Sequence, residues 1–223
     1  MRGTERRLEV VGCRIVFSCL LNLHLNEKQG SMILGLTGGM GCGKTTAARF
    51  FEEQGFGSID SDALVHELLA ADREVIEAVS EHFGDEVLLA NGEIDRKRLG
   101  SLVFDDSEEL EWLENLLHPL VGERWRAEVA AGPERSWVIQ IPLLFEKKLE
   151  QSFNFTVCVG TSTERQRRRL LRKGFSDMDI ARRIARQLPL NEKMARADFF
   201  LLNDGSLNFL REQVKRLVQM VKS

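Results

Sequence analysis

The chain has 223 residues, a formal net charge of −3, and 43% hydrophobic against 29% charged residues. That is the make-up of an ordinary globular protein with enough apolar material for a sizeable core, and it excludes collagen-like, disordered and disulfide-scaffold classes. Thirty-one basic side chains set against thirty-four acidic ones argue against a general polyanion binder, so any phosphate chemistry has to be local.

Residues 1–31 hold the one stretch that resembles a targeting segment, the apolar run 10–25 preceded by Arg2, Arg6 and Arg7. Arg14, Asn22 and His24 interrupt it, it has no small-x-small cleavage site, and it is short for a membrane span. The expectation is an extension outside the fold. Cys13, Cys19, Cys42 and Cys158 lie too far apart for a paired zinc or redox motif, which points to a reducing, cytoplasmic setting.

From Met32 onward short apolar runs alternate with amphipathic stretches. Strands are predicted at 33–37 (ILGLT), 57–60 (GSID), 137–142 (WVIQIP), 155–160 (FTVCVG) and 198–203 (DFFLLN), each apolar enough to be buried on both faces. Helical patterns at 44–54 and 206–222 give the strand, helix, strand order of a parallel sheet flanked by helices, an α/β fold. Residues 62–131 show helical spacing for nearly the whole stretch, too long for a crossover helix, and so predict a helical insertion that ends at Gly132-Pro133. The stretch 164–186 carries nine basic and three acidic side chains. Arg165, Arg168, Arg169 and Arg172 recur at three and four residues and share a helical face, with Arg167 projecting off it.

Residues 38–45, GGMGCGKT, match GxxxxGK[ST] between a predicted strand and a predicted helix. Glycines let the backbone aim N–H groups at phosphate oxygens, and the helix start near Lys44 adds a fixed positive potential. Lys44 is expected at the β and γ phosphates and the Thr45 hydroxyl on Mg²⁺. Cys42, beside this positive field, is either a thiol with a lowered pKa or a small filler of the loop. The sequence has no NKxD or DxxG to mark a GTPase switch, and WVIQIP does not end in the acidic pair of a remodelling ATPase. Asp60-Ser61-Asp62 closes the second strand at the carboxyl edge of the sheet, where the loop also opens. Asp62 reads as a base for an acceptor hydroxyl, with Asp60 supporting it or the metal's water shell. Alternatively, Ser61 or Asp62 caps a helix running from Ala63.

These residues closely resemble the dephospho-CoA kinase family. The resemblance runs through ILGLTGGMGCGKTT, Asp60-Ser61-Asp62, FGDEVLLANGEIDRKRLGSLVF, Leu117-His118-Pro119-Leu120, IPLLFE, ERQRRRLLRKG, ARRIARQ, Lys193, Ala197-Asp198 and Asn203-Asp204-Gly205, covering 32 to about 215. It implies an ATP- and Mg²⁺-dependent kinase that phosphorylates the ribose 3′-hydroxyl of dephospho-CoA, the last step of coenzyme A synthesis. The implied partners are these small molecules, with no nucleic acid or membrane, and the oligomeric state stays open. The implied architecture is a P-loop kinase core (32–61, 134–163 and 188–223), a helical acceptor-binding insertion (62–133) and a basic helical lid (164–187).

Carried onto this chain, the family's nucleotide site falls on Gly39, Met40, Gly41, Cys42, Gly43, Lys44, Thr45, Thr46, Arg172 and Asn203, with Lys44, Asp62 and Arg169 catalytic. Its acceptor side falls on Asp60, His118, Pro142, Leu143 and Glu146. For His118 the alternative is a histidine at a helix end before Pro119, and for the arginines a solvated basic face. Another small P-loop kinase, acting on a nucleoside monophosphate or small alcohol, is the alternative activity; the arginine run keeps a nucleotide switch or nucleic-acid binder as a different class. The chain departs from the family at Lys173, where an acidic residue is common, and at Gln140, often acidic or apolar.

Overall fold

The structure, a computed structural model, describes residues 31–104 and 106–223. The run 10–25, Cys13, Cys19 and nearly all of the expected extension lie outside the described residues. Strands β1 (Ile33–Gly38), β2 (Gly57–Asp60), β3 (Trp137–Gln140), β4 (Phe155–Gly160) and β5 (Phe199–Leu202) form one sheet in the order β2-β3-β1-β4-β5. Every pairing is parallel. β1 is central: the chain leaves it for β2 on one side and, after β3, crosses over it to β4 on the other, so the crevice beyond the carboxyl end of β1 is the topological switch point of the sheet.

Two strands are shorter than their apolar runs. β3 ends at Gln140, although the Ile141 N–H still donates to the Leu36 carbonyl at 2.9 Å, because Pro142 has no N–H with which to continue the ladder. At β5, Asp198 leaves the ladder to accept from both the Thr156 N–H and its hydroxyl, each at 2.8 Å.

Helix α1 (Lys44–Glu52) packs Ala47, Ala48, Phe50 and Phe51 against one sheet face. It shares that face with the C-terminal helix, whose Leu210, Val214, Leu217 and Val218 recur at helical spacing. The 62–131 stretch is α2 (Ser61–Ala71), α3 (Arg73–Phe83), α4 (Arg96–Phe104) and α5 (Ser107–Ala131), which bury their apolar stripes with Ile59, Trp137, Ile139 and Phe145. Asp60, Asp72 and Asp106 cap α2, α3 and α5 by accepting backbone N–H groups. Between α3 and α4 the helical pattern breaks into a short 3₁₀ turn, Asp85–Val87, and an antiparallel bridge between Leu88 and Ile94. Asn91-Gly92 makes that turn, with Gly92 at φ 83, a short-range hairpin signal that the helical reading of the stretch passes over.

Two sequence alternatives are corrected by these helices. The cap of α2 is Asp60, since α2 begins at Ser61; neither Ser61 nor Asp62 fills that role. His118 is not at a helix end, because α5 continues for three turns beyond Pro119, held by buried Val121, Gly122 and Trp125. The basic stretch is two helices, α6 (Thr163–Arg172) and α7 (Asp177–Ala185), followed by α8 (Leu190–Arg196) and the C-terminal α9 (Leu207–Lys222). A two-pronged Arg167–Asp177 pair, 2.6 and 2.7 Å, ties α6 to α7.

Gly57 opens β2 with its Cα under Trp137; an added Cβ would lie 2.2 Å from the indole ring. Trp137 is buried in the cluster that unites β3 with the helical insertion and donates to the Gly132 carbonyl at 3.3 Å, so it has little room to retreat. Gly57→Ala is therefore expected to destabilise the fold by about 1–3 kcal/mol through overpacking. Urea unfolding should show a lower midpoint with an unchanged slope.

Candidate active site

The loop between β1 and α1 turns its amides inward through Gly41 and Gly43, at φ 77 and 100. Gly43 is doubly constrained: besides the left-handed backbone, a Cβ there would fall 2.1 Å from the Asn203 side-chain amide. Gly43 precedes α1 without a side-chain cap, and the first turn of α1 holds no acidic residue. The first N–H groups of α1 are thus left to a ligand, and an anion is what they and the helix dipole favour.

Lys44 folds back over this loop, its Nζ donating to the carbonyls of Gly38 at 3.1 Å and Gly39 at 3.3 Å. Burial pulls the Lys44 pKa down and the charge of Lys193 adds to that, while Cys42 and Asp62 oppose it. Cys42 has no exposed surface, and burial pushes its thiol pKa up despite Lys44. The expectation of a lowered thiol pKa is thus overturned by desolvation, and Cys42 is a filler beneath the loop. Thr45 is exposed in the first turn of α1 and Thr46 half-buried behind it.

Residues from the far end of the sequence close over the loop. Arg169, half-buried on α6, points its guanidinium at the carbonyls of Gly41 and Cys42 at 3.5 and 3.4 Å, and at the Asn203 carbonyl at 3.0 Å. Asn203, buried just after β5, donates to the Cys42 carbonyl at 2.8 Å. Arg165 turns to Asp204 at 3.7 Å, whereas Arg168 and Arg172 are exposed. The single basic face read from the spacing is therefore divided: Arg169 turns to the loop, Arg165 pairs with Asp204 near the surface, and Arg168 and Arg172 are exposed. Lys173 is exposed at the end of α6, and Gln140 is buried in β3 between Leu36 and Asp60.

Across the crevice, Asp60 and Asp62 stand at the carboxyl end of β2. The register Asp60↔Gln140↔Leu36 sets this edge two strands from β1, roughly 10 Å at ordinary strand spacing. Asp60 accepts the Asp62 N–H at 3.0 Å. Asp62 opens to the crevice, but the protein packed behind it still displaces enough water to raise its pKa, and the Asp60 charge raises it further against the pull of Lys44 and His66. A carboxylate that holds its proton more readily than usual, facing a cation with which it interacts, has the character of a base for a hydroxyl.

The strip 142–146 forms the wall between the two edges. The Pro142 carbonyl accepts from the Thr37 hydroxyl at 3.2 Å and from Lys193 at 2.7 Å. Leu143 is half-buried, and Glu146 pairs with Lys193 at 2.7 Å and accepts the Leu188 N–H at 2.9 Å. His118 projects from α5 near the Glu114–Lys147 ion pair; burial lowers its pKa, Glu114 raises it and Lys147 lowers it. It stands with the far end of the wall and is not joined by a hydrogen bond to the phosphate loop.

Sequence reasoning missed Gln166 and Gln187. Gln166, buried, donates to the Met40 carbonyl at 2.7 Å, and Gln187 accepts the Met40 N–H at 3.3 Å. One signal was available: Gln166 is the neutral interruption of the run Glu164-Arg165-Gln166-Arg167, as expected of a helix position turned inward. Lys193 stands out in the sequence only as a residue shared with the resembled family; neither a lysine in a polar helix nor a threonine ending a strand announces burial.

Among the described residues no helix is long and apolar enough to cross a membrane, and no group of three or more His, Cys, Asp or Glu is placed to hold a metal ion. The family model for dephospho-CoA kinase matches residues 32–208. The chain is 36% identical over 188 residues to the dephospho-CoA kinase of Shewanella oneidensis, covering 84% of this chain and 92% of that protein. It is 35% identical to that of Lactobacillus johnsonii, covering 84% and 97%. Among solved structures, TT1252 from Thermus thermophilus superposes with a TM-score of 0.72 at 35% identity over 85% of this chain and 97% of that one. The dephospho-CoA kinase of Campylobacter jejuni gives a TM-score of 0.63 at 25% identity over 85% and 96%. A parallel sheet with the phosphate loop at its switch point, an acidic edge facing it and a match of this extent establish the chain as an enzyme of the dephospho-CoA kinase family.

Proposed function

We propose that this enzyme transfers the γ-phosphoryl group of ATP to the ribose 3′-hydroxyl of dephospho-CoA. The observation that carries the reading is geometric: Asp62 opens at the carboxyl end of β2, two strands from the phosphate loop that carries Lys44, in a chain whose residues 32–208 match the dephospho-CoA kinase family.

In this reading the amides of residues 39–46 cradle the phosphates, and Lys44 leaves the Gly38 and Gly39 carbonyls to bridge the β and γ groups. Asp62 accepts the proton of the acceptor hydroxyl as its oxygen bonds to the γ-phosphorus and the bond to the β-phosphate oxygen breaks. Arg169, already at the loop, meets the charge that develops on the transferring group, and Arg172, one turn further along α6, extends that field. Asn203 keeps the loop in shape through the Cys42 carbonyl. The hydroxyl of Thr45 and the carboxylates at the β2 edge are hard oxygen donors of the kind Mg²⁺ takes in small number alongside phosphate and water. When bound, the ion would neutralise phosphate charge. The insertion 62–133, with His118, and the wall of Pro142, Leu143 and Glu146 take the acceptor, while Asp60 holds the start of α2 and so the direction of Asp62. Residues 164–187 act as the lid. The buried free thiols of Cys42 and Cys158, the latter with its pKa pushed up to about 12 by burial, suit a reducing cytoplasm.

The reading is tested by ADP release with Mg-ATP and a panel of acceptors at equal concentration, with mass spectrometry locating the new phosphate. Dephospho-CoA is expected to outpace AMP, CMP, adenosine and pantetheine, because the remote pantetheine arm contributes binding energy that holds the ribose hydroxyl. Faster reaction of AMP or CMP, or a product phosphorylated away from the 3′-oxygen, would refute it.

Asp62→Asn is expected to lose turnover by about 100- to 10,000-fold while keeping ATP affinity. The same variant should be more stable than the parent at pH 7. The raised pKa means that the folded chain binds this proton more tightly than the unfolded chain does. Stability therefore falls as pH rises through the window between the ordinary carboxylate value and the raised one. Thermal midpoints should show a gain for Asp62→Asn at pH 7 that narrows as pH is lowered towards 3.8.

Arg169→Ala should lower turnover more than ATP affinity, with poor rescue by lysine, which lacks the planar fork. Arg168, exposed on the same helix, is the appropriate comparison, since Arg167 is committed to Asp177. Equal losses for Arg168→Ala and Arg169→Ala would assign the effect to bulk charge.

A further inference from the structure

Lys193 is the one lysine among the described residues with no exposed surface, and none of the roles derived above uses it. A buried ammonium is costly unless its donors are met, so what meets them shows what the residue holds. Its Nζ lies 2.7 Å from the Pro142 carbonyl and 2.7 Å from Glu146 Oε1. Both acceptors belong to the short strip after β3 that walls the crevice. Glu146 Oε2 is buried and has no hydrogen-bond partner among the described residues, so the carboxylate is fixed through Oε1 alone, by Lys193 and the Leu188 N–H.

The neighbours of Lys193 extend the link. Gln187, immediately before Leu188, accepts the Met40 N–H of the phosphate loop at 3.3 Å. The Pro142 carbonyl also accepts from Thr37, the residue before Gly38 on β1. Residues 187–193 therefore touch the phosphate loop at one end and the acceptor wall at the other, and Lys193 is the charged group that fixes the second contact. Lys44 donates to the carbonyl of Gly38, the residue next to Thr37, so the two ammonium groups are linked through adjacent residues of β1 and the Pro142 carbonyl.

We propose that Lys193 is a positioning residue for phosphoryl transfer, holding the Pro142 carbonyl and the Glu146 carboxylate so that the acceptor wall keeps a fixed distance from the phosphate loop. It touches neither substrate. Glu146 serves as its counter-anchor, acting on the acceptor through the wall it holds. This inference rests on the assignment of dephospho-CoA as acceptor. A displacement of about 1 Å between reacting groups is enough to cost on the order of 100-fold, so a wall released by loss of the ammonium should slow transfer without weakening nucleotide binding.

The test uses the full chain and its Lys193→Met, Glu146→Gln, Lys193→Met/Glu146→Gln and Lys193→Arg variants. Thermal midpoint, ATP affinity by calorimetry, and kcat and KM with dephospho-CoA are measured for each. An inactive parent chain would mean that the acceptor assignment has failed, and would be seen before any variant is compared. With an active parent, Lys193→Met is expected to lower kcat by about 10- to 100-fold and to raise KM for dephospho-CoA, with ATP affinity within about threefold. It should also lose stability, because the Glu146 charge is left buried without its partner. The double variant removes that charge and should regain the midpoint while transfer stays slow.

Recovery of both midpoint and turnover in the double variant would overturn the proposal, reducing Lys193 to a charge compensator. Parent-like turnover in Lys193→Met, or equal losses of ATP affinity and turnover, would overturn it as well. If the charge-pair variants do not fold, Lys193→Arg decides, since it keeps a cation beside Glu146 while its planar fork cannot take the ammonium's place between the Pro142 carbonyl and Glu146 Oε1. A several-fold loss of transfer at unchanged ATP affinity supports the proposal, and unchanged transfer overturns it.

Discussion

A loop that aims its N–H groups at one point must aim its carbonyls elsewhere, and each carbonyl turned into the protein needs a donor. Much of this enzyme is arranged around that need. Lys44 serves Gly38 and Gly39, Gln166 serves Met40, Arg169 reaches Gly41 and Cys42, Asn203 serves Cys42, and the Ala47 N–H serves Gly43 at 3.0 Å. The donors come from α1, from α6 and from the end of β5, so three segments distant in sequence are committed to one turn. Two of these donors, Lys44 and Arg169, are also the cations suited to phosphate. Their hold on the carbonyls keeps them at the loop and limits the rearrangement that an arriving nucleotide requires.

Charge is arranged against the local environment at both edges of the crevice. Burial disfavours the charged form of Lys44, and burial together with Asp60 disfavours the charged form of Asp62. Neither shift helps the fold, and the two groups partly relieve one another across the gap. Strain of this kind is tolerated where the rest of the domain over-determines the positions. Here α1 is locked by Phe50 and Phe51 beneath the sheet, and α2 is fixed by its Asp60 cap and by Leu64 and Leu68 in the second core.

The sheet was legible because its strands are buried on both faces and so appear as unbroken apolar runs, with parallel order enforced by the helices between them. The phosphate loop was legible because its spacing is dictated by backbone geometry. Legibility failed where tertiary contact decides. Asp60, Ser61 and Asp62 are equally good capping residues by type, and only the start of α2 at Ser61 selects Asp60. Pro119 suggests a helix end, yet the packing of Leu117, Val121 and Trp125 carries α5 through it. Arginines at three- and four-residue spacing share a face on paper. In the fold Asp204 pairs with Arg165 near the surface and the loop carbonyls draw Arg169 in, while Arg168 and Arg172 stay in water.

The hardest feature to read from sequence is also the least expected on energetic grounds. A buried Lys193–Glu146 pair could be replaced by apolar residues of similar size with little loss of stability, so stability alone does not explain it. An apolar substitute, however, could not donate to the Pro142 carbonyl, which lies past the end of β3 where the sheet no longer fixes the chain. Proline at that point ends the ladder for want of an N–H, and the strip that follows needs an anchor from another element. Lysine from α8 supplies it at two acceptors, with a reach that a shorter polar side chain would lack. The need for the buried charge thus begins with the proline that stops the strand. The anchor that answers it ties the acceptor wall to the segment that, through Gln187, also touches the phosphate loop.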